Sequence, residues 1–293
     1  MAERLLDALG EPTVDLITGS PSADLIALWL AVARRRAARR TPAEVVRAYT
    51  RDAYVAPVSG DPLALRALEL TCLQQAAGRG FEPIELSPLA PLGSCSTFSL
   101  GGQDRVLSTA RGLEVLADPT NVLALECVRR RRAGSREPIA LATAARVVRC
   151  QPLKSEGHTR HFSLFAAATA GRDRDSRRFA VRVLADHVAL HRAILEAAMP
   201  GRLGAIRIAT TDAYRRSAEG LADTCRDDGL EVQLEPLSHR YYHGLRFQLL
   251  VRLGAATIAL TDGGLFDWMR TLASDRKEQF VASATGTELL AKQ

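Results

Sequence analysis

The chain has 293 residues, 47% of them hydrophobic and 25% charged, with a formal net charge of +6. These are the proportions of an ordinary soluble globular protein, long enough for one large domain or two smaller ones. The opening residues, MAERLLDALGEPTVD, carry charge early and lack the apolar run of a secretory signal. The five cysteines, Cys72, Cys95, Cys127, Cys150 and Cys225, form no CxxC pair and are odd in number. That usage fits reduced thiols in the cytoplasm rather than a disulfide frame or a zinc site.

Nearly all the positive charge is arginine; the lysines are Lys154, Lys277 and Lys292. Arginines cluster at 34–36, 39–40 and 129–132. One reading is a nucleic-acid surface. The preferred reading is solvent-facing helix charge in an alanine- and arginine-rich chain, so nucleic acid is not an expected partner.

In chain order, residues 1–60 read as mostly helical. SADLIALWLAVARRR (22–36) has an apolar stretch of only about a dozen residues, against the roughly 20 needed to span a bilayer. It is expected to be an amphipathic or buried helix, and no membrane is expected as a partner. Thr41-Pro42-Ala43-Glu44 is a helix start, with Thr41 as N-cap and Glu44 three residues on. YVAPVSGDP (54–62) is turn-rich and marks the boundary between an N-terminal helical extension (1–60) and a core (61–293).

LALRALELTCLQQAAGRG (63–80) is helical in spacing and stops at its glycines. FEPIEL is strand-like, and short runs with turns fill 87–113. EVLADPTNVLALECVRRRR gives a strand, a turn at Asp118-Pro119 and a helix that Asp118 or Thr120 caps. IALATAARVVRC and HFSLFAAATAG form a long hairpin across a polar loop. A helix at 178–198, a strand–helix–strand unit over 206–236, further strands with a tight turn at Gly263-Gly264, and a closing strand and helix complete the chain. A helical insertion is expected at about 175–230. The succession predicts an α+β fold with a mainly antiparallel sheet. Neither GxGxxG nor GxxxxGK[ST] is present.

Six segments, in order, resemble the catalytic core of class II aminoacyl-tRNA synthetases, histidyl-tRNA synthetase and its paralogues above all. LRALELTCLQQAAGRGFEPIELSPLAPL resembles motif 1, and LADPTNVLALECVRRR resembles the LRPE/DxT segment. VVRCQP with HTRHFSLFAAATAG resembles motif 2. YYHGLRFQ resembles YYTGxxFE, DGGLFDWM resembles GGGRYDGL, and ASATGTELL resembles motif 3. The resemblance implies a class II-like antiparallel sheet flanked by helices, behind the N-terminal helical extension. It further implies an amino acid or similar small molecule as ligand, a homodimer through motif 1, and no anticodon-binding domain.

The same resemblance implies ligand-binding roles for Asp118 and Thr120, for Arg149 and Gln151, and for Arg240, Tyr241, Tyr242 and Gly244. Asp118 would hold an α-ammonium group, and Arg149 a carboxylate and a phosphate. Departures weaken the chemistry. The motif 2 glutamates fall at Gln151 and His161, and the glutamine that follows falls at Leu164. The two arginines that stabilise phosphate charge fall at Leu237 and Leu289, and the aspartate before the tyrosines falls at Arg240, which reverses its charge. No catalytic residue is assigned. The expected function is a non-aminoacylating histidyl-tRNA synthetase paralogue acting as an amino-acid-sensing regulatory subunit, with ATP phosphoribosyltransferase of histidine biosynthesis as a possible catalytic partner protein. The alternative is an adenylate-forming ligase for a non-tRNA acceptor, which would need ATP and magnesium; otherwise no cofactor follows. His187 and His191 lie four apart on one helix, a metal spacing without an evident third ligand. His158 and His161 flank the motif 2 loop and read as exposed.

Overall fold

The computed structural model describes residues 3–151, 159–173, 178–254 and 256–292. His158 lies outside the described residues.

Helices α1 (Glu3–Leu9), α2 (Glu11–Gly19), α3 (Ser22–Ala38) and α4 (Pro42–Arg51) form the N-terminal extension. Thr41 opens α4 with a full capping box: its hydroxyl accepts from Glu44 N, and the Glu44 carboxylate accepts from Thr41 N at 2.7 Å. None of the described residues of 4–60 is buried. Helix α3, expected to be amphipathic or buried, buries nothing: Trp29 stays 46% exposed. No single described helix is long and apolar enough to cross a membrane.

The core begins with α5 (Pro62–Ala77), capped by Asp61, whose carboxylate accepts from Leu63 N. Short strands β1 (Glu82–Pro83), β2 (Leu89–Pro91) and β3 (Leu113–Val115) follow, then α6 (Pro119–Arg132). The hairpin is β4 (Ile139–Val148) with β5 (His161–Arg172). Next come α7 (Arg178–Ala198), β6 (Leu203–Thr210), α8 (Arg215–Asp227) and β7 (Glu231–Pro236). Strands β8 (Leu245–Leu253) and β9 (Ala256–Phe266), helix α9 (Trp268–Leu272), strand β10 (Glu278–Thr285) and helix α10 (Thr287–Ala291) complete the chain.

Eight strands form one sheet in the order β1-β4-β5-β10-β9-β8-β6-β7. Only the edge pairs, β1 with β4 and β6 with β7, are parallel. Alternation along the alanine-rich strand β5 splits the core into two layers. Ala166, Ala168 and Ala170 pack with α6 residues Leu123, Ala124 and Cys127. Phe165 and Ala167 pack with Cys72 and Ala76 of α5 and Leu184 and Val188 of α7.

The strand–helix–strand unit expected over 206–236 is β6, α8 and β7, and β6 pairs β8 inside the main sheet. Residues 92–112, read as short runs with turns, form mainly turns and bends. Gly263 and Gly264 are not a tight turn; they lie inside β9. A Cβ at Gly263 would stand 2.6 Å from the Cβ of Ser283 and 2.7 Å from the Phe247 ring, and one at Gly264 would stand 2.4 Å from Leu245 O. Glycine is there because the neighbouring strands leave no room for a side chain.

Because helices α1 to α4 bury no residue, removing residues 1–50 should cost the core little. We expect the truncated protein to unfold cooperatively with stability changed by less than about 1 kcal/mol, read by urea denaturation. A broadened or strongly lowered transition would show that the extension holds the core together.

Candidate functional site

A cavity of about 410 Å³ opens where the N-terminus of α6 and the end of β4 meet β5, β9 and β10. That volume falls in the usual small-molecule range of about 300–1,000 Å³. Asp118, Thr120, Arg149, Gln151, Tyr241 and Tyr242 all line it. Arg240 and Gly244 do not. Arg240 is exposed in the turn before the tyrosines, so the expected charge reversal lies outside the cavity. Gly244, at φ 87°, serves packing: a Cβ there would sit 2.2 Å from the Tyr214 ring.

Asp118 is both N-cap and cavity wall. Its Oδ1 accepts from Thr120 N at 3.0 Å and from Thr120 Oγ1 at 2.7 Å. Its Oδ2 is left towards the cavity, where the Tyr241 hydroxyl donates to it at 3.3 Å and Arg149 Nη2 stands 3.9 Å away. Arg149 is itself anchored: its Nε donates to Ala117 O at 2.9 Å, and its guanidinium lies 5.2 Å from the Phe162 ring centroid. The strand end that carries it is fixed by Val148 N to Leu116 O and Cys150 N to Arg105 O, both 2.9 Å.

Tyr241 and Tyr242 belong to an aromatic cluster. Their rings meet edge-on at 5.1 Å, and Tyr241 packs edge-on against Phe266 and Trp268. Burial, reinforced by the Asp118 charge, pushes the Tyr241 hydroxyl far above its ordinary pKa and keeps it a neutral donor. The Tyr242 hydroxyl donates at 2.7 Å to Asp262, a second carboxylate of the cavity that Arg246 grips with two nitrogens. Asp262 is therefore paired closely with Arg246, whereas Asp118 meets the Arg149 guanidinium only at 3.9 Å.

Sequence reading missed Glu114. This carboxylate is 1% exposed. It accepts from Gly93 N at 2.9 Å, Cys95 N at 3.1 Å and the Gln103 amide at 3.1 Å. It thereby folds the loop that brings Cys95, Ser99 and Arg105 to the cavity. A lone glutamate in a short strand gives no signal of this. Cys95, which accepts from Asn121 Nδ2 at 3.0 Å, has its thiol pushed up to about 12 by burial and so is no nucleophile at neutral pH.

His187 and His191 hold no metal-ready nitrogen. Both are fully buried, and all four ring nitrogens meet hydroxyls of Thr169, Ser283 or Thr285 at 2.7–2.9 Å. His161 turns to the other side of the sheet from the cavity, between Arg146 at 2.8 Å and Ala56 O at 2.9 Å. The motif-like position Leu164 does line the cavity, without a polar group.

An eight-stranded, mainly antiparallel sheet flanked by helices is the architecture of the class II aminoacyl-tRNA synthetase catalytic core. Among solved structures, the chain is similar to histidyl-tRNA synthetase of S. aureus, with 16% identity, a TM-score of 0.59, and coverage of 77% of this chain and 64% of that one. It is similar to an ATP phosphoribosyltransferase regulatory subunit/histidyl-tRNA synthetase of Bacillus halodurans, with 15% identity, a TM-score of 0.60, and coverage of 81% and 82%. It is also similar to the RNA-binding domain of threonyl-tRNA synthetase from Cryptosporidium parvum, with 12% identity, a TM-score of 0.63, and coverage of 78% and 63%. Identities this low establish a shared fold and nothing about the ligand. No protein-family model matches the chain, and no curated protein does.

Two measurements test this geometry. Glu114→Gln replaces one accepting oxygen by an NH2 that faces at least one N–H donor, and should lower stability by about 1–3 kcal/mol in chemical denaturation; an unchanged midpoint would show that the loop does not hang on the carboxylate. The second concerns pH. Burial lowers the pKa of His187 well below 6.5 and that of His191 to about 3. The unfolded chain protonates both near 6.5, so below that pH it binds more protons than the folded protein, and stability must fall as pH falls. The melting temperature should drop from pH 6.5 to 5, and drop less in His191→Asn. An equal slope in both proteins would refute the assignment.

Proposed function

We propose that this protein uses the class II synthetase fold to bind an amino acid without aminoacylating. It would act as an amino-acid-sensing regulatory subunit of a catalytic partner, for which the resemblance suggests ATP phosphoribosyltransferase of histidine biosynthesis. The observation that carries the reading is a pair of opposite charges on one cavity, Asp118 and Arg149 at 3.9 Å, with the Tyr241 hydroxyl on the same carboxylate. A zwitterion fits that pair. Its ammonium group meets Asp118 Oδ2, which the helix cap does not use, and its carboxylate meets the guanidinium fork.

What is missing supports binding over activation. The positions where the resemblance expects arginines that stabilise phosphate charge hold leucines. Leu237 packs on an apolar cluster, and Leu289 is 45% exposed. One lost donor of that kind removes about 3–4 kcal/mol of transition-state stabilisation. A ligase is the second reading, favoured by Arg105, an exposed guanidinium on the cavity wall; it would require ATP and magnesium.

Thermal shift and ATP–pyrophosphate exchange, run in parallel across the twenty amino acids, decide between them. We expect at least one amino acid, histidine foremost, to raise the melting temperature without supporting exchange. Asp118→Asn keeps a capping oxygen and removes the charge, so it should weaken that binding by about tenfold or more. Exchange that disappears in Arg149→Ala would establish the ligase instead.

A further inference from the structure

A second concavity lies apart from the first. Helix α4 is amphipathic, and its two sides differ in charge. Val45, Val46 and Tyr49 form one side and are 52–61% exposed. Arg47 and Arg51, one helical turn apart, lie on the other. They face a cleft of about 650 Å³ between α4 and the start of β5, lined also by Asp52, Tyr54 and Arg160. Arg160 is held in position: its guanidinium lies 4.9 Å from the Tyr54 ring centroid, its Nη1 donates to Gln151 O at 2.6 Å, and its backbone N donates to Ala53 O at 2.9 Å.

Among the described residues, the charge there is uncompensated. Residues 34–51 hold seven arginines against one acidic residue, Glu44, an excess that equals the net charge of the whole chain. Glu44 is committed to its capping box. Among the described residues that line the cleft, the one carboxylate, Asp52, accepts from Tyr54 N at 2.9 Å. Among the described residues, no ion pair engages Arg47 or Arg51. Two like charges four apart on a helix repel, and a third guanidinium brought over from β5 adds to the cost. An arrangement that is locally unfavourable and held in place by neighbouring contacts marks a binding site for the opposite charge.

We propose that the cleft between α4 and β5 binds a phosphoryl anion, held among Arg47, Arg51 and Arg160. A carboxylate fills one guanidinium fork; three forks on one cleft match a group with several oxyanions and more than one negative charge. Free polyphosphate and the backbone of a nucleic acid share that chemistry. The cleft is linked to the first cavity by a hydrogen bond, since Gln151 lines that cavity and its carbonyl accepts from Arg160. The proposal does not depend on the identity of the ligand in that cavity.

Isothermal titration of the full chain with tripolyphosphate tests it. Wild-type protein should bind, and Arg47→Gln/Arg51→Gln should weaken binding by about tenfold or more. Arg34→Gln/Arg35→Gln, the same change of charge outside the cleft, should retain it. No binding in wild type, or equal weakening in both pairs, overturns the site. A short single-stranded oligoribonucleotide run in parallel separates the sources. If it displaces tripolyphosphate and is lost in the same pair, the phosphates belong to a nucleic acid; if it does not compete, the ligand is a free phosphoryl compound.

Discussion

The rest of the structure depends on the eight-residue antiparallel register between β5 and β10, from Glu278 opposite Arg172 to Thr285 opposite Phe165. The strands are alanine-rich where they meet, with Ala168 opposite Ala282 and Ala166 opposite Ala284. Small side chains let helices cover both faces closely, α6 on one and α7 on the other. The cavity opens on the α6 side of the sheet, where Leu164, Leu260, Asp262 and Ala282 line it from within the strands. There the α6 N-terminus delivers Asp118, the β4 end delivers Arg149, and β9 and β10 complete the wall. A one-residue slip would turn every alanine to the wrong helix and dismantle the cavity.

Much of the fold was legible because its elements are long and strongly patterned. Helix α7 matches the predicted span of 178–198, and the hairpin of β4 with β5 matches the predicted strand pair. The α4 cap was readable from four residues because a capping box is a local device. What failed was non-local. Gly263 and Gly264 look like a turn until Ser283 and Leu245 are brought against them. Glu114 looks like a surface residue until three donors from 19 to 21 and 11 positions away close on it. At the cavity, six of the eight residues named from the sequence lie together, while Arg240 and Gly244 fall outside. Adjacency in the chain misled there: a turn sends neighbouring side chains in different directions.

The two ends of the molecule differ in how they are held. The core buries two apolar layers and ties them with ion pairs such as Arg131 with Glu278 at 3.1 Å, where a guanidinium on α6 meets a carboxylate on β10. The extension has caps and charge but no interior. It meets the core where Ala53 and Ala56 accept hydrogen bonds from Arg160 and His161, at the start of β5. Whatever moves the extension therefore acts first on the hairpin that ends in Arg149.

The buried polar chain beneath the sheet carries a further consequence. Thr169, His187, Ser283, His191, Thr285 and Thr261 form one line of hydroxyls and imidazoles. Ser283 has a single proton and two histidine neighbours, so it must accept from one ring and donate to the other. Two neutral imidazoles in that line are then forced into the same tautomer, both protonated on Nδ1 or both on Nε2. The line is thus a single two-valued element whose direction reverses only as a whole. Two rings separated by a full helical turn share one proton arrangement.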